Sequence, residues 1–418
     1  MRKVLVISYL FPNTRYPNRG LFVLRRLKAV SANVELKVIN PIPWFPFCSR
    51  FRHFRDYDRI PLCEEIDGLE IHHPRFLAIP KTAKIIAVIA YCVAVFRLAR
   101  RMRRAWNFEL IDLHWTFPDL PAGKACAIWW RLPIVVTVRG FAALYGKGAS
   151  LSRLLVRTLL RKCDHVITLS DELRHECVTQ GVSADRCTTI HNGVDTSRFH
   201  YRPQCESRKA LGLAANRVLV LSVGYVTPNK GFSRVVSALA KLRDVGVTAH
   251  FYVAGPTGEF AQGDCSAELW ELARELNVDD QVHLLGEVDN DELVNWYNAA
   301  DCFCLSSHSE GCPNVLMEAL ACGCPVVATR VGAVPDLVCE PDAGVVVSNT
   351  TDGIVDGLVE VLQRSFFRQC NADQMQSWQW SSVAQKVLGC YSASESSVGP
   401  CDGADRRRQS CHISEVDS

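Results

Sequence analysis

The sequence predicts an α/β protein with two doubly wound, parallel β-sheets, one in each half of the chain. Strand-like runs alternate with helix-like segments: KVLVISYL, VELKVIN, FELIDLHW, PIVVTV and HVITLS first, then RVLVLSVG, HFYVAG, QVHLLG, CFCLSS and PVVAT. Continuous apolar strands separated by helices indicate parallel sheets covered on both faces. A chain of 418 residues is also too long for one ordinary core, which favours two domains.

The boundary between the two domains is predicted near residue 200. There the polar, turn-rich stretch RFHYRPQCESRKALGL is followed by a fresh strand pattern. We expect a first domain over 1–199, a second over 200–375, a closing helix over 376–392 and a disordered tail over 393–418, which lacks periodicity. In doubly wound domains ligands bind at the carboxyl ends of the strands, so a cleft between the domains is the expected site.

Composition excludes several classes of protein. The net charge of +3 is too small to favour nucleic-acid binding. The 19 cysteines are scattered through apolar runs, which favours reduced thiols in a cytoplasmic protein. The pairs Cys302/Cys304 and Cys322/Cys324 lack the two-residue gap usual in zinc sites, so packing is the preferred interpretation and no metal is predicted. The opening MRKVLVISYLF is interpreted as a buried strand and not as a signal peptide, because its apolar run is short and breaks at Pro12.

One segment has an unusual charge pattern. No acidic residue occurs over residues 71–108, where KTAKIIAVIAYCVAVFRLARRMRR joins an apolar run to a basic end. The apolar run over 85–96 is too short to span a bilayer. It is either a buried helix with a solvated basic end or a helix that docks peripherally on an anionic membrane surface, at the inner face of the membrane.

A helix start in the second half suggests a phosphate site. In SEGCPNVLMEALACGCPVVAT, Pro313 suits the first turn of a helix that runs from Asn314 to about Ala321 and stops at Gly323. Free N–H groups and the positive dipole end make such a start a site for a phosphate. Glu310 precedes the helix and Glu318 lies inside it, and carboxylates accept hydrogen bonds from sugar hydroxyls.

This stretch resembles the E-x7-E signature of the retaining glycosyltransferases of family 4, which have the two-domain GT-B fold. The segments HNGVDTSRF, VGYVTPNKGF, LLGEVDNDELVNWYNAADCFCLSSHSEG and SWQWSSVAQKVLGCY resemble other parts of the family in the same order, over about residues 3–392. The resemblance implies a GT-B fold with a C-terminal helix crossing back to the first domain. It also implies a retaining, metal-independent, hexosyltransferase-type enzyme without a cofactor.

The expected reaction moves a sugar from a nucleotide diphosphate sugar to a saccharide or lipid-linked acceptor, as in the biosynthesis of surface polysaccharide or lipopolysaccharide. By resemblance, Glu310 contacts the donor sugar, Glu318 the ribose and Lys230 the diphosphate. Lys230 can neutralise the charge that develops on the leaving group; the alternative is an exposed turn lysine. Further donor contacts are implied at Gly311, Pro313, Asn314, Val315, Leu316, Tyr225, Gly20 and Gly286.

Two positions depart from the family pattern. Tyr225 stands where an arginine is usual, and losing such a charged contact costs about 1.5 to 3 kcal/mol. Arg139 stands where many relatives have a histidine. It is predicted to act in catalysis by holding the donor diphosphate or an anionic acceptor, and we hypothesise that it partly replaces the charge missing at Tyr225.

Other loops carry weaker signals. Gly20 begins a helix after the first strand and either lets backbone approach the donor or makes an ordinary turn. His114 in DLHWTFPD either borders the acceptor pocket or packs in the core. The turn at Gly255 lacks the acidic residue usual in the family.

Three alternative functions stay open. The pairs Asp56/Asp58 and Asp289/Asp291 have the D-x-D spacing of metal-dependent glycosyltransferases, although two parallel sheets argue against that class. A nucleotide-sugar 2-epimerase shares the architecture and needs no acceptor. Tyr225 and Arg139 also fit a degenerate protein that binds a nucleotide sugar without turnover.

Overall fold

The computed structural model describes residues 1–46, 56–78, 84–140, 150–257 and 263–395. The first sheet has eight strands in the order β10-β9-β8-β7-β1-β2-β5-β4, and all neighbours are parallel except the β4/β5 pair. Its strands are β1 (Arg2–Ile7), β2 (Val34–Ile39), β4 (Cys63–Ile66), β5 (Leu69–His72), β7 (Leu110–Leu113), β8 (Ile134–Val138), β9 (His165–Thr168) and β10 (Cys187–Thr189).

The second sheet has six parallel strands in the order β13-β12-β11-β14-β15-β16. Its strands are β11 (Val218–Val223), β12 (Ala249–Ala254), β13 (Val282–Gly286), β14 (Cys302–Leu305), β15 (Val326–Thr329) and β16 (Gly344–Val347). A separate parallel pair joins β3 (Ile42–Trp44) to β6 (Arg75–Leu77). The predicted α/β architecture with two parallel sheets is confirmed.

Helices cover both faces of each sheet. They are α1 (Leu21–Val30), α2 (Lys84–Ala105), α3 (Asp119–Trp130), α4 (Ser150–Leu160), α5 (Asp171–Thr179), α6 (Gln204–Ala210), α7 (Phe232–Asp244), α8 (Ser266–Glu275), α9 (Asn290–Ala299), α10 (Asn314–Ala321), α11 (Val334–Leu337), α12 (Thr351–Gln363), α13 (Arg368–Gln374) and α14 (Trp380–Glu395). On the first sheet, α2, α3 and α4 cover one face and α1 and α14 the other; on the second, α7, α8 and α12 lie opposite α9, α10 and α11.

The last helix crosses back to the first sheet, where it packs on α1, β8 and β9. Its Tyr391 hydroxyl donates to Asp112 Oδ2 at 2.6 Å, inside the core. Ser394 is fully buried, so the helix continues to Glu395 and residues 393–395 do not belong to the predicted tail. The rest of that tail lies outside the described residues.

Two further details differ from the expectations. Pro313 is not in the first turn of α10 but immediately precedes it, with an extended ψ of 106°. The short strands β3 to β6 and β10 have no long apolar run, and β16 has only three consecutive valines, so none of these edge, paired or hairpin strands was predicted from the sequence.

Candidate active site

Two loops that follow neighbouring strands bring Lys230 and Glu310 together. Lys230 ends a short turn after β11, and Glu310 follows β14. The Lys230 Nζ donates to Glu310 Oε1 at 2.8 Å, and the Ser307 hydroxyl donates to the same oxygen at 2.7 Å. The side chains of Lys230 and Glu310 are 21% and 16% exposed, so both reach solvent at the carboxyl edge of the second sheet. An ammonium and a carboxylate at this edge can contact a phosphate and a sugar hydroxyl.

Glycine at position 231 allows this arrangement. Gly231 has a φ of 64°, and a Cβ there would lie 2.3 Å from the Ser306 carbonyl oxygen. Ser306 in turn donates its hydroxyl proton to the Lys230 carbonyl at 2.7 Å. The loop after β14 and the turn after β11 are thereby held in direct contact, which fixes the Lys230 backbone beside Glu310.

The start of α10 is joined to the connection between the two halves of the chain. Asn192 donates from Nδ2 to Asn314 Oδ1 at 2.9 Å, and its backbone N–H points to Cys312 Sγ at 3.4 Å. The Leu316 side chain is fully buried and Val315 packs against the same core. Their side chains thus contribute to the core of the second sheet, and the Leu316 N–H donates to the Pro313 carbonyl at 3.2 Å.

Glu318 lies at the junction between the two halves. Its side chain is 11% exposed, accepts from the Tyr297 hydroxyl at Oε2 (3.1 Å) and pairs with Arg25 Nη1 at Oε1 (3.6 Å). Arg25 belongs to α1 on the first sheet, so this ion pair crosses between the halves. Burial raises the pKa of Glu318, and the Arg25 charge and the Tyr297 hydrogen bond oppose that rise. The carboxylate is thus held by groups from both sheets.

A buried chain of hydrogen bonds leads to Arg139. His114 lies between Asp112 Oδ2, 3.0 Å from its Nε2, and Arg139 Nη2, 2.8 Å from its Nδ1. Because arginine only donates, Nδ1 accepts and the His114 proton sits on Nε2, facing Asp112. Burial lowers the pKa of His114, in keeping with a neutral ring. His114 is only 1% exposed, so it does not border an acceptor pocket; it is a core histidine that orients Arg139.

Arg139 is 7% exposed and lies against the second half of the chain. Its Nη1 donates to Asn192 Oδ1 at 3.4 Å, and its guanidinium carbon lies 4.7 Å from the centre of the Phe22 ring. A Cβ on Gly311 would lie 2.2 Å from the Arg139 carbonyl oxygen, so the two backbones touch. Burial and then the charge of Arg26 hold the pKa of Arg139 well below its usual value.

The remaining predicted donor contacts lie at the edges of the same region. Gly20, with a φ of 75°, precedes α1, and a Cβ there would lie 2.8 Å from the Leu10 carbonyl oxygen. Gly286 ends β13 and accepts from the Gly255 N–H at 2.7 Å, and Gly255 packs against the Gly224 backbone. Tyr225, which follows Gly224, is 44% exposed.

Several residues of this region are absent from the sequence-based site. Asn192 lies within the HNGVD segment that carried the resemblance, so a signal for it existed. Tyr297 and Ser307 likewise lie within LLGEVDNDELVNWYNAADCFCLSSHSEG, but nothing in that segment singles them out: the Tyr297 contact with Glu318 depends on how two helices pack, and a serine two residues from a strand end is common. Arg25 had no signal, because its contact with Glu318 depends on a helix distant in sequence.

The aspartate pairs have structural roles. Asp289 accepts from the Asp291 N–H at 2.8 Å and so caps α9, while Asp56 pairs with Arg59 at 3.3 Å. In the described part of the chain, neither pair belongs to a group of three metal-ligating side chains. Cys302, Cys304, Cys322 and Cys324 are at most 1% exposed and pack in the second domain's core.

Comparison with known proteins identifies the family. The sequence profile of the group 1 glycosyl transferases matches residues 204–373, and that of glycosyltransferase family 4 matches residues 47–198. The chain belongs to the group 1 glycosyltransferases, as the resemblance predicted. A D-inositol 3-phosphate glycosyltransferase of Kribbella flavida is 29% identical over 71% of this chain and 74% of its own. The D-inositol 3-phosphate glycosyltransferase of Mycolicibacterium smegmatis is 30% identical over 63% of this chain and 62% of its own length.

Solved structures share the fold. Sucrose-phosphate synthase of Thermosynechococcus elongatus superposes with a TM-score of 0.76 at 18% identity, covering 95% of this chain and all of that one. HepE of Anabaena in complex with UDP-glucose superposes with a TM-score of 0.68 at 17% identity, covering 94% of this chain and all of that one. The fold is therefore GT-B. That the protein is a glycosyltransferase follows from the two family profiles and not from these structures.

Proposed function

We propose that the protein transfers a sugar from a nucleotide diphosphate sugar to a saccharide or lipid-linked acceptor, with retention at the anomeric carbon and without a catalytic metal. The observation that carries this proposal is the Lys230–Glu310 pair at 2.8 Å, in which Glu310 belongs to the loop that leads from β14 into α10. The GT-B neighbour bound to UDP-glucose supports a nucleotide sugar as donor. We also propose that residues 1–199 and 200–375 form the two domains.

Each group has a distinct task in this reaction. Lys230 Nζ offsets the charge that grows on the leaving diphosphate, and amides at the start of α10 bind the same phosphates. Glu310 accepts from sugar hydroxyls and Glu318 from the ribose. The leaving phosphate then helps to deprotonate the acceptor hydroxyl on the same face of the sugar, which retains the configuration.

The acceptor is proposed to carry an anionic group. Arg26 and Arg139 are two buried guanidinium groups, and in the described part of the chain the carboxylate whose charge acts on both is Asp112, so positive charge is in excess. Within the described residues, the Nε atoms of both arginines lack a hydrogen-bond partner. The D-inositol 3-phosphate glycosyltransferases among the relatives have phosphorylated substrates by name. A phosphorylated sugar or a phosphate-linked glycolipid of surface polysaccharide biosynthesis suits this surplus charge, and the donor diphosphate is the alternative occupant.

Docking at the cytoplasmic face of a membrane is also proposed. On α2, Ile85, Ile86 and Ile89 are 64%, 55% and 58% exposed, and the stripe continues through Val93. The same helix then exposes four arginines, at positions 97, 100, 101 and 104. None of the described helices is both long and apolar enough to cross a bilayer. An apolar stripe beside a basic end is the pattern of a helix that lies on anionic lipid.

The membrane proposal predicts a specific loss. Changing Ile85, Ile86 and Ile89 together to serine should lower the partition coefficient onto anionic phospholipid vesicles at least about tenfold, since each buried isoleucine contributes roughly 1.5 to 3 kcal/mol. Co-sedimentation measures the partition coefficient. The matched control is Phe367→Ser, because Phe367 is 73% exposed and lies in the second half of the chain, away from α2. Binding that ignores anionic lipid and salt, or that survives the triple change, would contradict docking through α2.

The donor is tested by saturation-transfer NMR against UDP-, GDP- and ADP-sugars. We expect one nucleotide to bind, and Glu318→Ala to weaken it about tenfold or more, because a charge-assisted contact contributes roughly 1.5 to 3 kcal/mol. Glu360→Ala, an exposed change on α12, is the control. Arg139→Ala in the same titration tests the hypothesis that Arg139 compensates for Tyr225; unchanged donor affinity would reject it.

The outcomes separate the alternatives. No binding by any nucleotide sugar would reject the proposed donor. Binding without turnover indicates the degenerate protein, and conversion of donor alone indicates the epimerase. The anomeric configuration of the product, read by NMR, tests retention.

A further inference from the structure

The β4–β5 hairpin carries four residues of metal-ligating types on one face. In this antiparallel pair Cys63 lies opposite His72, and Glu65 lies opposite Glu70. Because side chains alternate along a strand, residues two apart share a face. Cys63 and Glu65 on β4 therefore stand next to Glu70 and His72 on β5, in a two-by-two array.

Three of these side chains already converge. One ligand atom each from Cys63, Glu70 and His72 lies within 4.8 Å of the other two. His72 Nε2 and Glu70 Oε1 are 2.5 Å apart. Among the described residues, this is the one group of three histidine, cysteine or acidic side chains close enough to share an ion. Cys63 is exposed, so an ion can enter from solvent.

Lys37, on the adjacent strand β2, orients the carboxylate. Its Nζ binds Glu70 Oε2 at 2.7 Å, which leaves Oε1 turned towards His72. Ligating carboxylates commonly have such a second hydrogen-bond partner, which fixes the oxygen that faces the metal. The lysine thus occupies one oxygen and leaves the other for an ion.

We propose that Cys63, Glu70 and His72 bind a zinc ion. A thiolate, an imidazole and a carboxylate together are typical zinc ligands, whereas magnesium and calcium prefer oxygen only. Water or Glu65 completes four-coordination. Binding requires a thiolate and an unprotonated ring nitrogen, so Cys63 releases its proton to solvent as the Zn–S bond forms, and His72 carries its proton on Nδ1 in place of the Nε2 that faces Glu70. The ion takes no part in sugar transfer, since Lys230 and Glu310 follow strands of the other sheet, and Arg139 follows β8, which β7, β1 and β2 separate from the hairpin.

The contacts around the hairpin indicate what the zinc does. Glu64, on the opposite face of β4, accepts from the Thr14 N–H at 3.2 Å and from His73 Nε2 at 2.8 Å. Thr14 lies in the loop between β1 and α1, which leads to Gly20. An ion that ties β4 to β5 at Cys63 therefore also holds Glu64, and through it the loop that precedes Gly20. The site is a structural staple at the edge of the first sheet.

The test uses the full-length, metal-stripped chain and cobalt(II) as a spectroscopic substitute for zinc. We expect one tightly bound equivalent with a thiolate-to-cobalt charge-transfer band, displaced by zinc. Cys63→Ser should abolish that band, and His72→Ala should lower zinc affinity at least about tenfold in competition with a chromophoric chelator. Cys205→Ser, another exposed cysteine, should change neither.

A second measurement covers the folding of the variants. In hydrogen exchange, zinc should slow the amides of residues 63–72 in the wild type but not in Cys63→Ser. A cobalt spectrum without thiolate character, or zinc affinity equal in the wild type and Cys63→Ser, would overturn the proposal. Neither result bears on sugar transfer, so the two proposals fail separately.

Discussion

Replacing Lys230 by alanine is expected to lower kcat roughly 10²- to 10³-fold, the range for removing one preorganised group that stabilises developing charge. The Lys230 side chain is 21% exposed and its Nζ lies 2.8 Å from Glu310 Oε1, in a site partly shielded from water. The leaving diphosphate gains its extra negative charge only as the glycosidic bond breaks. The loss should therefore fall mainly on kcat, with a smaller change in donor affinity.

The control for this prediction is Lys241→Ala. Lys241 is a surface lysine on α7 that pairs with Asp352, and a surface pair of this kind contributes little. Steady-state kinetics with the donor identified by NMR provide kcat and KM for both variants. A fall in kcat smaller than tenfold for Lys230→Ala would favour the exposed turn lysine over a catalytic role.

The sequence predicted the parts of the site that are local. The helix start, its end and the spacing of the two glutamates follow from residues within one segment, and α10 begins and ends where the pattern indicated. Environments were harder to predict. Glu310 and Glu318 are similarly shielded, with side chains 16% and 11% exposed, but Glu310 pairs with a lysine of a neighbouring loop and Glu318 with Arg25 of the first half of the chain. Burial depends on helices that pack from elsewhere in the chain.

Interactions between distant segments account for most of what the sequence could not predict. His114 follows a strand, as a pocket residue would, but it is buried beside Asp112, which also accepts from the Tyr391 hydroxyl of the crossing helix. The Cys63–His72 array requires the register of a short edge hairpin, which has no strong apolar pattern. In both cases the deciding information is which strands and helices become neighbours.

A methyl group at Gly311 is expected to lower kcat/KM about a hundredfold, the scale of a 1 Å misplacement in an active site. The Cβ of Gly311→Ala would lie 2.2 Å from the Arg139 carbonyl oxygen. Because the atoms it meets belong to the backbone, no flexible side chain can move aside to relieve the clash. The added atom must either separate the two halves of the chain or displace Glu310, the preceding residue. Both changes disturb the alignment of donor and acceptor groups.

Opening the cleft relieves this clash without unfolding either half, so the thermal midpoint should change much less than activity. Gly389→Ala is the matched control, because a Cβ at that position on α14 meets no atom within 4 Å. Kinetics and thermal denaturation of both variants test the argument. If Gly311→Ala keeps near-normal kcat/KM, productive catalysis does not require the close approach of Arg139 to Gly311. If instead both activity and the thermal midpoint collapse together, the contact is needed for folding and not specifically for closure of the site.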